Sequence, residues 1–154
     1  VRRPYSAASM DSAKPPSTAR PLVDSRIPVR LRLSALWAAV TLCYLYGDFF
    51  GLFAPGRLQS MLDGRMGPLG QATQGVLAGT ALMMAIPSTM VFLTLALPAP
   101  VARWANVVFG LTFTLIMLAT MPGAWAFYVL LGVIEVALTL AVVGYAWTWP
   151  REGG

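Results

Sequence analysis

The sequence predicts an all-α integral membrane four-helix bundle with up-down topology and both termini cytoplasmic, and three observations carry that prediction. Of the 154 residues, 57% are hydrophobic and 11% charged, whereas a soluble globular domain carries about 25% charged residues. Four stretches of helix-spanning length are almost free of charge, each long enough to cross ~30 Å of hydrocarbon. Pairs of Pro and Gly punctuate the stretches, and these residues end helices.

Residues 1–28 read as a disordered basic tail, rich in Pro, Ser, Ala and Arg and without apolar periodicity. The run Ser12-Ala-Lys-Pro-Pro-Ser-Thr-Ala-Arg20 is representative. A secretory signal needs an apolar segment directly after its basic start, and none follows this one. Val1 and Met10 are alternative starts.

Residues 29–150 form the four-span domain, with spans expected at about 31–53, 71–95, 101–121 and 124–147. Pro55-Gly56 ends the first, Pro98-Ala-Pro100 separates the second from the third, and Pro122-Gly123 separates the third from the fourth. Links this short make the last three helices antiparallel neighbours. The segment Ala54 to Gly70 is the one sizeable external loop, in which Leu58, Met61 and Leu62 form an amphipathic turn for the membrane surface.

Orientation follows from the basic residues near the span ends. Arg2, Arg3, Lys14, Arg20, Arg26, Arg30 and Arg32 precede the first span. With the N-terminus inside, Arg103 and Arg151 join them, while Arg57 and Arg65 face the other side. Trp104, Trp147 and Trp149 then fall at the cytoplasmic boundary, where aromatic belts occur. Arg103 fixes this topology or meets an anionic headgroup. The net charge of +5 belongs to a flank, not to a folded basic face, so nucleic acid is not an expected partner.

Several chemistries are excluded by composition. The one cysteine, Cys43, lies within the first span, so no disulfide or thiol pair forms within the chain. There is no histidine, the residue most used for haem and metal ligation. No cofactor and no metal are expected, and no P-loop, Rossmann glycine pattern or catalytic metal motif occurs. Met83, Met84 and Met90 read as core or lipid-facing filling, because a thioether path for metal needs such donors on several facing helices.

Glu135, near the middle of the fourth span, is the residue that demands an explanation. An ionised carboxylate at that depth costs at least ~2.5 kcal/mol, so the neutral form is favoured there unless the group is paired or wet. Its own helix offers no cation within one turn. Hydroxyls of Thr41 and Tyr44 on the first span, or Thr112 and Thr114 on the third, are the expected hydrogen-bond partners. Glu135 is a candidate proton carrier, or else a neutral acid joining helices through one hydrogen bond of about 1 kcal/mol.

Asp48 lies several residues from the external end of the first span, with Tyr44 one turn away. Thr73 and Gln74 open the second span near the same boundary. These four residues form a candidate external polar cluster, or Asp48 caps neighbouring helix ends. Gly47-x-x-x-Gly51 and Gly75-x-x-x-Gly79 occur at matching depth, and glycines at this spacing let two helices approach closely. Pro87 should kink the second span, with Ser88 and Thr89 helping to satisfy the freed carbonyl.

Leu33-Ser-Ala-Leu-Trp37, Tyr44-Leu-Tyr46-x-Asp48, Thr73-Gln-Gly75, Ile86-Pro87, Arg103-Trp-Ala-Asn106, Ile134-Glu135 and Tyr145-Ala-Trp147 are landmarks on all four spans. In this order they resemble an uncharacterised family of short bacterial four-helix membrane proteins, a domain of unknown function. The resemblance covers about Val29 to Trp149 and implies a multi-pass protein of the bacterial plasma membrane, without an activity. The family pattern implies an acidic residue just before the Ile-Pro pair, where this chain has Ala85. That departure leaves no carboxylate there to pair with Glu135.

The expected function is that of a small proton-linked transporter or permeation protein, not an enzyme, working in the lipid bilayer as a homo-oligomer. The alternative is a non-catalytic subunit or assembly partner of a larger membrane complex, in which polar residues only specify packing.

Overall fold

The computed structural model describes residues 26–150. The expected basic tail up to residue 25, the alternative starts and Arg151 lie outside the described residues. The described chain is all-α, with five helices: α1 (Val29–Gly51), α2 (Arg57–Leu62), α3 (Gln74–Ala96), α4 (Ala99–Thr120) and α5 (Ala126–Trp147). Of these, α1, α3, α4 and α5 are long and apolar enough to cross a membrane, each within a few residues of an expected span.

The boundaries have local causes. Pro28 and Pro98 stand immediately before α1 and α4 in extended conformations that no helix continues through. The Thr73 hydroxyl accepts from the Val76 backbone N–H at 3.3 Å, capping α3. After α1 the chain turns at Gly56, whose φ of 77° is left-handed and open to glycine. The short α2 carries the expected amphipathic turn, with Leu58, Met61 and Leu62 exposed.

Each long helix buries one stripe at three- and four-residue spacing. On α1 the stripe is Leu33, Trp37, Val40 and Gly47; on α4 it includes Ala102, Asn106, Gly110, Phe113 and Met117. On α5 it is Gly132, Glu135, Thr139, Val142 and Ala146. The stripes meet in a core of Leu33, Trp37, Val40, Met90, Val107, Phe113, Val142 and Ala146. Contacts run α1 to α3, α3 to α4, α4 to α5 and α5 to α1, so α1 and α4 face each other across the core. Trp37 and Tyr44 of α1 reach that diagonal, each edge to face with Phe113 of α4.

A buried polar knot joins three helices. Asn106 Oδ1 accepts from Trp37 Nε1 at 2.7 Å, Asn106 Nδ2 donates to the Ala102 carbonyl at 2.7 Å, and Thr94 Oγ1 lies 3.2 Å from Nδ2. All three side chains are fully buried. Buried polar groups are tolerated where every atom finds a partner, and in hydrocarbon no water supplies one.

The glycine expectation needs correction. A methyl at Gly51 or Gly79 would meet nothing within 4 Å, at Gly75 only the neighbouring Thr73 hydroxyl, and at Gly47 the Leu131 side chain of α5 at 3.7 Å. The two motifs therefore do not pack against each other. The close approach is between α4 and α5, where a methyl at Gly110 would lie 2.8 Å from Val143 Cγ2 and 3.3 Å from the Thr139 carbonyl. At Gly132 it would lie 3.0 Å from Met117 Sδ. Four-residue glycine spacing is common in apolar sequence, and only the helix's rotation decides whether it faces a partner.

Pro87 sits inside α3 and is fully buried. The residues after it bond to other carbonyls than the Met83 carbonyl that proline frees. Ser88 donates to the Met84 carbonyl at 3.1 Å and Thr89 to the Ile86 carbonyl at 3.0 Å.

Candidate functional site

One end of the molecule is organised by arginines, and the opposite half holds the candidate site. At the first end, Arg30 Nη1 donates to the Leu95 and Leu97 carbonyls at 2.7 and 2.8 Å. Arg103 donates to the Ala146 and Trp147 carbonyls at 3.2 and 3.3 Å. Both guanidinium groups thus satisfy the free carbonyls that end a helix. They also lie over aromatic rings, Arg30 over Trp149 and Arg103 over Trp104 and Trp147. Arg103, expected as a topology or lipid contact, is in this structure a cap for α5.

In the other half, a partly enclosed cavity of about 110 Å³ is lined from all four long helices. From α1 come Tyr44 and Asp48, from α3 Met83 and Met84, from α4 Met117 and Thr120, and from α5 Tyr128 and Glu135. Such a space has room for a few waters. Glu135 is 2% exposed, whereas Asp48 is exposed. The lining therefore runs from a buried carboxyl group to an accessible one.

Glu135 reaches this position because it belongs to the buried stripe of α5, three residues from Gly132 and four from Thr139. The small Gly132 lets Met117 close over the helix there. The expected hydrogen bond to a hydroxyl is absent: Glu135 Oε2 is buried without a partner, and so is the Tyr44 hydroxyl. The threonines are spent elsewhere. Thr41 donates to the Trp37 carbonyl at 2.9 Å and Thr112 to the Val108 carbonyl at 2.8 Å, each four residues back on its own helix. Thr114 bonds the Gly110 carbonyl in the same way and shares a 2.7 Å hydrogen bond with Thr139. A threonine in a helix has such a carbonyl within reach, and here Thr41 and Thr112 use it and Thr114 adds to it only the bond to Thr139. Tyr44 has no such recourse.

Asp48 and Tyr44 thus come together with Glu135; Tyr44 was among the neighbours expected for Glu135, whereas the approach of Asp48 was missed. Thr73 and Gln74 do not line this cavity, and the Thr73 hydroxyl is engaged as the α3 cap. Tyr128 and Thr120 were also missed; Tyr128 Oη donates to Thr120 Oγ1 at 3.0 Å on the cavity wall. The signal for Glu135 was present in the stripe Gly132, Glu135, Thr139, since small and polar residues in a membrane helix face protein. Asn106 lay within a quoted motif, but nothing in its spacing pointed to Trp37.

Among the described residues no group of three or more His, Cys, Asp or Glu side chains is placed to hold a metal ion. A larger, open groove of about 500 Å³ runs along the outer face of α4 by Pro100, Trp104 and Phe109. No charged side chain lines it, so it offers surface for lipid and no chemistry.

The model of a family of unknown function, DUF6326, matches residues 27–153. No curated protein and no solved structure matches the chain.

Proposed function

The chain belongs to the family of unknown function DUF6326, and from that premise we propose a small proton-linked permeation protein of the lipid bilayer, with Glu135 as the group that takes up and releases the proton. The observation that carries this reading is the buried, unpartnered Oε2 of Glu135 on a cavity shared with the accessible Asp48. A buried carboxyl group without a cation is stable when neutral and ionises only when water reaches it. A cavity with room for a few waters and a second carboxylate at its accessible end supplies such a route. Tyr44 lends a hydroxyl on the way.

The alternative, a subunit whose carboxyl group only joins helices, is weakened because Glu135 Oε2 makes no bond to another helix. Packing of that kind is carried instead by Asn106 with Trp37 and Thr94.

The topology that fits is an up-down bundle with both termini on the cytoplasmic side. The start of α1 bonds the end of α3 through Arg30, and the start of α4 bonds the end of α5 through Arg103, as antiparallel pairs do. Arg30, Arg32 and Arg103 then share one face with Tyr145, Trp147 and Trp149, in keeping with the rule that basic residues stay inside. Four helices enclose little space, so function as a homo-oligomer is part of the proposal.

The test is flux of protons into vesicles that carry the purified full chain and a trapped pH-sensitive dye. Wild-type protein should acidify or alkalinise the lumen under an imposed potential. Glu135→Gln, which keeps shape and removes titration, should reduce the rate to that of protein-free vesicles, and Asp48→Asn should slow it. Equal rates for wild type and Glu135→Gln, or no wild-type rate above protein-free vesicles, would sink the proposal.

A further inference from the structure

We infer that the same cavity takes a hard monovalent metal cation, of the size of Na⁺ or Li⁺, on oxygens of Glu135, Tyr44 and Asp48, in competition with the proton. This rests on the reading of the cavity given above and deepens it by naming a ligand.

Three observations converge. The cavity walls bear two carboxyl groups from different helices and no cationic side chain. Glu135 is 2% exposed with Oε2 unpartnered, and the buried Tyr44 hydroxyl on the same cavity is unpartnered too. Arg57 stands on α2, outside the spans, with its guanidinium packed by Gly67, and does not line the cavity. An ionised Glu135 would therefore lack a counter-charge from protein, and a buried charge needs one.

The chemistry of the donors selects the class of ion. Carboxylate and hydroxyl oxygens suit hard cations. A single buried carboxylate is balanced by one positive charge, whereas Ca²⁺ and Mg²⁺ demand more oxygens or an ordered water shell. Met83, Met84 and Met117 also line the space, but Met117 Sδ faces the Gly132 backbone and the Thr120 hydroxyl, so the sulfurs do not assemble into a soft-metal site. The titratable groups around Glu135 are Tyr44 and Asp48 of α1 and Tyr128 of α5, with the half-buried Cys43 beside Tyr44. The cavity residues of α3 and α4 are methionines, Ile116 and Thr120, none of which titrates. Competition with protons should therefore centre on the carboxyl groups.

Isothermal titration of NaCl or LiCl into the purified full chain in detergent tests this, with choline chloride as the control at equal ionic strength. Saturable heat with Na⁺ or Li⁺ and none with choline is expected. The apparent affinity should weaken as pH falls, by up to about tenfold per unit for one competing proton. Tyr44→Phe should weaken binding several-fold, and Glu135→Gln should abolish it while its helical circular dichroism stays that of wild type. Should Glu135→Gln fail to fold, Tyr44→Phe and Asp48→Asn carry the comparison. Identical heats for Na⁺, Li⁺ and choline overturn the inference, as does binding that ignores both pH and these substitutions. If cation binding is absent while proton flux still depends on Glu135, this inference fails alone. If Na⁺ binds and no proton flux exists, the proton reading fails and the site stands.

Discussion

Glu135 Oε2 and the Tyr44 hydroxyl, on α5 and α1, are both buried without a hydrogen-bond partner and line one cavity. Neither group stabilises the fold through a bond, so deleting either should cost little. Tyr44→Phe should leave the unfolding free energy in detergent within about 1 kcal/mol of wild type, because it removes an unsatisfied hydroxyl and keeps the ring against Phe113. Proton flux should fall all the same. A large loss of stability in Tyr44→Phe would show that the hydroxyl has a partner in the membrane.

Asn106 should behave in the opposite way. Asn106→Leu keeps the volume but leaves the buried Trp37 Nε1 without its 2.7 Å acceptor and breaks the contact to Thr94. Each orphaned buried group costs roughly 1–3 kcal/mol, so the variant should unfold well before wild type in a thermal melt. Asn106→Leu melting with wild type would remove the knot from the account of the fold.

The glycines divide into two sets. Gly51→Ala and Gly79→Ala should be tolerated, since a methyl meets nothing within 4 Å. Gly110→Ala drives a methyl to 2.8 Å from Val143 Cγ2 and 3.3 Å from the Thr139 carbonyl, and overpacking of this kind costs about 1–3 kcal/mol. Gly132→Ala should fall between, because its nearest neighbour is the flexible Met117. Thermal unfolding of the four variants in one detergent ranks them directly.

Arg103→Ala should loosen the end of α5. It removes the donors to the Ala146 and Trp147 carbonyls and the stack on two indoles, an effect of about 1 kcal/mol. Hydrogen exchange should accelerate in the last turn of α5 and leave the turn around Glu135 unchanged. Arg103→Lys keeps the charge but cannot span both carbonyls with the same planar fork, so it should restore protection only in part.

The contrast among these residues shows how far the sequence could be read. Helix ends were legible at Pro55-Gly56, Pro98-Ala-Pro100 and Pro122-Gly123, whose effects are confined to the adjacent turn, whereas the Thr73 cap emerged only in the structure. Glu135 stood out because a charge in an apolar stretch is conspicuous wherever the helix faces. The hydroxyl partner assigned to it was wrong because Thr41 and Thr112 bond carbonyls of their own helices, and Thr114 divides its hydroxyl between the Gly110 carbonyl and Thr139. Asp48 read as part of a separate external cluster with Thr73 and Gln74, since depth along a span was visible and rotation about its axis was not.

What the sequence determined by itself is the number, length and ends of the apolar helices, together with the anomaly of a carboxylate in the last. Those properties are sums of local transfer energies along about 20 residues, and no distant contact alters them. The tertiary structure alone decided that Glu135 shares a cavity with Asp48 and Tyr44, that Asn106 meets Trp37, and that Gly110 and Gly132 are the close contacts. Lipid and protein interior are equally apolar, so hydropathy assigns a residue to the membrane without saying which side of the helix meets another helix. That choice is made by packing between segments distant in the chain.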